Sequence, residues 1–207
     1  MPWLKYHGLN ARMGAPIIVP VQNLPPGTLT ACCGKAPGRA IRLFVTPSAP
    51  DRSFRIELTD EAATRRLAAR LAGLARNGDL LALRGDLGSG KTSFARAFIR
   101  ACGDPEEEVP SPTFTLVQTY ETPVGTLWHF DLYRLSGPDE VGELGFDEAL
   151  AGGIVLAEWP ERLGAVKPDG LLDIDLFCPP GGEEEARIAT LRAAGSWIAR
   201  LEKEFGT

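Results

Sequence analysis

The first fifty residues hold no aspartate or glutamate, only five lysines or arginines, and eight of the seventeen prolines. All 27 acidic residues therefore lie from residue 51 on, against 17 basic ones, so an acid-free stretch precedes a body of net charge −10. Such a body is not a broad nucleic-acid-binding surface. Pro25-Pro26, Pro37-Gly38 and Pro47 interrupt any regular element, and no sustained periodicity runs through the stretch. We expect residues 1–51 to form a mostly disordered extension ahead of a domain over 52–207. An organellar transit peptide is the alternative, but Ser48 is the stretch's sole serine and no Arg-rich amphipathic helix is evident. The segment "APIIVPV" is too short and too proline-broken for a secretory signal.

Other absences narrow the class further. No apolar run approaches the roughly 20 residues that a membrane helix needs, so no membrane role is expected. Cysteine is scarce: Cys32 and Cys33 are adjacent and lack the second pair a zinc knuckle requires. Cys102 and Cys178 close an apolar helix and an apolar strand, where both are expected as small core residues. This usage suits a reducing, cytoplasmic setting. None of the three asparagines (10, 23, 77) precedes a lysine, so the guanine-reading NKxD motif is missing and ATP is favoured over GTP.

What the sequence does have is "GDLGSGKT" at 85–92, directly after the apolar run "LLAL". Gly85, Gly90, Lys91 and Thr92 occupy the defining positions of G-x-x-x-x-G-K-[ST]. Glycines let the backbone curl so that its N–H groups face phosphate oxygens. The lysine supplies a point charge for the β- and γ-phosphates, and the threonine hydroxyl a ligand for Mg²⁺. Context agrees: Asp79–Arg84 reads as a buried strand, and "KTSFARAFIRAC" sets Phe94, Ala95, Phe98 and Ile99 on one helical face. Strand, glycine loop and helix N-terminus together favour anion binding.

The rest of the body reads as alternating elements. A strand is expected at 53–58, then a helix capped by Thr59 and running to about Arg76. Two period-2 stretches, 113–121 and 125–134, flank "TPVG" as a β-hairpin. Short helical pieces at 138–151, strands at 153–159, 171–178 and 186–192, and a final amphipathic helix follow.

Two carboxylates are candidates to complete a phosphate site. Glu158 ends the apolar run Ile154–Ala157, at the carboxyl end of a strand, where open α/β sheets place ligands. A solvated strand end is the plainer possibility. Alternation puts Trp128, Phe130 and Leu132 on one face and His129 and Asp131 on the other. Asp131 then faces either the nucleotide or water, and alternation alone does not choose. His129 reads as a neighbour of the chemistry.

The segments "GDLGSGKTSFARAF", "SPTFTLVQTYE", "HFDLYRL", "ELGFDEAL" and "AEWPERL", in this order, resemble the TsaE (YjeE) family of bacterial tRNA threonylcarbamoyladenosine biosynthesis ATPases. The resemblance covers roughly residues 52–205 and leaves the N-terminal stretch outside it. It implies ATP and Mg²⁺ as cofactors, with nucleotide contacts from Gly85, Asp86, Leu87, Gly88, Ser89, Gly90, Lys91, Thr92 and Ser93. It further implies that Thr92 and Glu158 bind Mg²⁺, that Asp131 is needed for hydrolysis alongside Glu158 and Lys91, that Thr113 of "SPTF" senses the nucleotide, and that Trp159 lies near it. The implied partners are the proteins TsaD and TsaB, with tRNA reached only through their complex. Ser89, Ser93 and Ala157 depart from the family pattern by small changes that leave this chemistry intact. The expected fold is α/β: a single P-loop NTPase-like domain, its mixed central sheet carrying a β-hairpin insertion and flanked by helices. A small-molecule P-loop kinase is the alternative function, but no lid-like insertion is evident.

Overall fold

The computed structural model describes residues 42–46, 52–164, 168, 170–181 and 185–206, all within one compact unit. Residues 1–41 and 47–51 of the expected extension lie outside the described residues. The chain alternates strands and helices in the order β1 (Arg42–Thr46), β2 (Arg52–Leu58), α1 (Glu61–Ala72), β3 (Leu80–Arg84), α2 (Lys91–Cys102), β4 (Val117–Thr122) and β5 (Gly125–Asp131). Helices α3 (Pro138–Glu143) and α4 (Phe146–Gly152), β6 (Ile154–Glu158), a 3-10 turn (Pro160–Leu163), β7 (Leu171–Phe177), β8 (Arg187–Ala193) and α5 (Ser196–Phe205) complete it.

The strands form one mixed eight-stranded sheet, ordered β1-β2-β8-β7-β3-β6-β5-β4. Its centre is parallel: β3 pairs with β7 and β6, and β6 with β5. Antiparallel strands extend both sides. Strand β1, residues 42–46, lies within the stretch expected to be mostly disordered and pairs along the outer edge of β2. Five residues between prolines carry too little periodicity to announce a strand, and the open edge of β2 supplies the partner. The hairpin β4–β5 is likewise no separate insertion, because β5 is also a parallel neighbour of β6.

Period-2 alternation divides the core between the faces. Leu81, Leu83, Leu127, Ile154, Leu156, Leu172 and Ile174 meet α1, α2 and α5 on one side. Leu80, Phe130, Val155 and Ala157 meet α3, α4 and the 3-10 turn on the other. Beyond that patch, the second face of β7 and β8 is polar, with Asp175 paired to Arg192. As anticipated, Phe94, Ala95, Phe98 and Ile99 are buried on a single face of α2.

Element ends differ from expectation where side chains capture backbone groups. Asp60, not Thr59, caps α1, its Oδ1 accepting the N–H of Ala63 at 2.6 Å. The helix stops at Ala72, well short of Arg76: the N–H groups of Leu74 and Ala75 both close onto the Leu71 carbonyl, and Asp79 Oδ2 takes the Arg76 N–H at 2.8 Å. The hairpin strands are shorter than the alternation suggested, since Leu116 turns through φ +66° with its N–H on the Pro112 carbonyl. Cys102 is buried, but Cys178 is exposed one residue past the end of β7, which corrects its expected place in the core. A buried fork ties α5 to the start of β3: Arg200 Nη1 and Nη2 donate to the two Asp79 oxygens at 2.5 and 2.7 Å.

Candidate functional site

The carboxyl ends of β3, β6 and β5 lie side by side: β5 and β6 end in the two carboxylates singled out by sequence, and β3 leads into the glycine loop. After β3 the chain enters the glycine loop, and Gly90, in the left-handed region, hands it to α2. Gly85 has φ +126°, and a Cβ there would stand 2.3 Å from the Leu176 carbonyl oxygen, so only glycine fits the first turn. The loop closes on itself through the Ser89 N–H to the Asp86 carbonyl at 3.1 Å. Arg187 braces it from β8, Nε donating to the Ser89 carbonyl at 3.0 Å and Nη2 to that of Gly88 at 3.4 Å. Sequence reading missed Arg187, and no local motif marks it.

Lys91 is buried in the first turn of α2 and folds back over the loop. Its Nζ donates to the carbonyls of Gly85 and Asp86 at 2.8 and 2.9 Å. The ammonium also sits 3.9 Å from the centre of the Trp159 ring. Trp159 reaches this position from the left-handed region, at φ +59°, directly after β6. A bulky residue there carries backbone strain of about 1–3 kcal/mol. Tyr133 packs against the same indole, ring centres 4.9 Å apart. Burial lowers the Lys91 pKa, opposed by the charges of Glu158, Asp131, Asp86 and Glu161.

The two carboxylates are register partners, Asp131 of β5 opposite Glu158 of β6, and both are buried. This decides the orientation that alternation left open: Asp131 turns inward, toward the loop side of the sheet, and does not face water. Each carboxylate accepts from a threonine hydroxyl. Thr92 Oγ1 donates to Glu158 Oε2 at 3.0 Å, and Thr113 Oγ1 to Asp131 Oδ2 at 2.9 Å. Thr113 also meets Ser111 Oγ at 2.8 Å, and the Tyr133 N–H donates to Asp131 Oδ1 at 3.1 Å. The Leu116 carbonyl accepts the Asp131 N–H at 2.9 Å, fastening the "SPTF" segment to the end of β5. His129 is wholly buried, its Nε2 3.0 Å from Glu158 Oε1.

Most residues singled out by sequence thus gather where the glycine loop meets the ends of β5 and β6: Gly85, Gly90, Lys91, Thr92, Thr113, Asp131, Glu158 and Trp159. Others stand apart. Leu87 is 87% exposed at the loop tip, and the Ser93 side chain lines a groove between α1 and α2 instead. Asp86 and Gly88 lie exposed on the loop, while the Ser89 hydroxyl is buried inside it without a partner among the described residues. No cluster of three or more His, Cys, Asp or Glu side chains able to hold a metal occurs among the described residues. A hydroxyl and one carboxylate nevertheless suit Mg²⁺ of the phosphate-bound kind, which takes one or two protein oxygens and completes its shell with phosphate and water. The Thr92–Glu158 pair offers that donor set.

The profile of the family described as "Threonylcarbamoyl adenosine biosynthesis protein TsaE" matches residues 58–184. A Rickettsia felis protein named tRNA threonylcarbamoyladenosine biosynthesis protein TsaE is 44% identical over 146 residues, covering 70% of this chain and 85% of its own. The Bacillus subtilis protein of the same name is 38% identical over 143 residues, covering 69% and 87%. Among solved structures, Bacillus subtilis YdiB superposes with a TM-score of 0.60 at 30% identity, covering 76% of this chain and 96% of that one.

Proposed function

Because the chain belongs to the TsaE family, and so to the machinery of tRNA threonylcarbamoyladenosine biosynthesis, we propose that it is the machinery's ATP-hydrolysing component and supports turnover of a TsaB–TsaD complex. The observation that carries this reading is the pair of inward carboxylates, Asp131 and Glu158, each held by a threonine hydroxyl beside the Lys91 loop. A loop that bound phosphate only as a structural anchor would have no use for two buried acids at its rim.

The residues divide the work by position. The loop and the first turn of α2 present N–H groups to the phosphates, and the helix dipole favours their charge. Lys91 exchanges two carbonyl acceptors for phosphate oxygens, a charge-assisted and stronger pairing. Thr92 and Glu158 would hold Mg²⁺, which supplies charge neutralisation on the phosphates. Asp131, with Oδ1 and Oδ2 each already accepting one bond, keeps lone pairs for orienting a water and receiving its proton. Thr113 joins the "SPTF" segment to that carboxylate, so a phosphate drawing on its hydroxyl changes both at once. Trp159, with Tyr133 packed against it, covers Lys91 and shields it from water.

The test is a titration with a fluorescent ATP analogue and a turnover assay with and without purified TsaB and TsaD. The reading expects binding that Lys91→Ala removes, and hydrolysis that the partners change. Parental affinity in Lys91→Ala would end it.

A further inference from the structure

His129 is a titratable group that the proposed chemistry does not use. It is fully buried on the same face of the sheet as Leu127 and Leu156, where a hydrophobe would fill the space. Its two nitrogens fare differently. Nε2 lies 3.0 Å from Glu158 Oε1, whereas Nδ1 is buried and has no partner among the described residues. An ionised carboxylate only accepts, so Nε2 carries the hydrogen and donates it. A residue kept for packing alone would not bury a second nitrogen unpaired.

The other oxygen of the same carboxylate explains the arrangement. Glu158 Oε2 accepts from Thr92 Oγ1 at 3.0 Å, so the carboxylate is held at both ends, by a strand neighbour and by the helix of the loop. Strand geometry makes this specific: His129 lies opposite Leu156, two residues before Glu158, so its ring points along the face toward the carboxylate. We infer that His129 is a positioning residue which, through Nε2, fixes the Glu158 carboxylate so that Oε2 and the Thr92 hydroxyl form a ready-made cation site. This rests on the reading of Thr92 and Glu158 as Mg²⁺ ligands. Groups that orient a ligating carboxylate typically change metal affinity 10–100-fold when removed.

The experiment compares two amides in the full chain. Glutamine at 129 carries its nitrogen near the Nε2 position and keeps a donor toward Oε1, while asparagine carries it near Nδ1 and does not. The reading is the Mg²⁺ concentration at half-maximal binding of a fluorescent, slowly hydrolysed ATP analogue, with melting in EDTA as a separate measure of the fold. His129→Asn should raise that concentration about 10–100-fold and leave analogue binding without Mg²⁺ unchanged. His129→Gln should stay within a few-fold of the parent. Equal Mg²⁺ requirements in the two variants overturn the inference, and so does a drop in melting temperature with no Mg²⁺ shift. Glu158→Gln separates the two levels. If it leaves the Mg²⁺ requirement unchanged, the cation reading itself fails. If it raises the requirement and His129→Asn does not, only the role of His129 fails.

Discussion

Replacing Thr113 with valine removes one hydroxyl and almost no volume, which isolates the link between the "SPTF" segment and Asp131. In the parent, Thr113 Oγ1 donates to Asp131 Oδ2 at 2.9 Å and meets Ser111 Oγ at 2.8 Å. A hydrogen bond to a charged group contributes about 1.5–3 kcal/mol, which corresponds to roughly a 10- to 150-fold change in a rate or binding constant. Asp131 keeps the Tyr133 N–H at 3.1 Å and the Leu116 carbonyl still holds its backbone, so the carboxylate stays in place but loses one of two constraints. Thr113 is only partly buried, so the variant should stay folded and lose no more than several degrees of melting temperature. Steady-state hydrolysis at saturating ATP and Mg²⁺, with TsaB and TsaD present, should therefore fall by about tenfold or more, mostly in kcat. Hydrolysis at the parental rate with an unchanged KM would refute the idea that this hydroxyl couples the segment to the carboxylate.

Other outcomes follow from the same geometry. Arg200→Ala leaves Asp79 charged and buried, loses the bonds to the Leu74 carbonyl and the Ser196 hydroxyl, and should cost about 3–5 kcal/mol in urea unfolding; a loss below about 1 kcal/mol would show that the fork is not desolvated. Burial pushes the Cys102 thiol up to about 11 from 9.0. Its thiolate fraction at pH 8 is thus about 100-fold below an ordinary thiol's, rising only as pH approaches the shifted value. Mass-mapped alkylation of the native protein should therefore modify exposed Cys178 ahead of Cys102, which should react only on unfolding; fast native labelling of Cys102 would contradict its burial. Arg187→Ala should weaken ATP-analogue binding without abolishing it, since it releases two carbonyls of the loop and leaves the Lys91 bonds to Gly85 and Asp86 in place; an unchanged affinity would mean that the brace does not shape the loop.

The parts legible in the sequence were those coded locally. Gly85, Lys91 and Thr92 stand in a motif whose spacing dictates a strand, a turn and a helix, and the structure places β3, the loop and α2 there. The alternation Trp128, Phe130, Leu132 separated the faces of β5 and put His129 and Asp131 together on the other one. Depth was not legible. Whether Asp131 faced water depended on β5 entering the parallel sheet beside β6, a pairing between strands more than twenty residues apart. The same distance hid the contact of His129 with Glu158 and that of Arg187 with the loop, 98 residues away from Ser89. Cap choice was misread for a smaller reason: Thr59 and Asp60 are both good caps, and only backbone geometry selects the second.

The most direct test of the central claim is multiple-turnover transfer of threonylcarbamoyl to tRNA, reconstituted from TsaC, TsaB, TsaD and this protein with ATP. Turnover beyond one product per TsaB–TsaD complex should require the protein, and Asp131→Asn, folded and still able to bind ATP, should not restore it. Equal turnover without the protein, or full restoration by Asp131→Asn, would contradict the account.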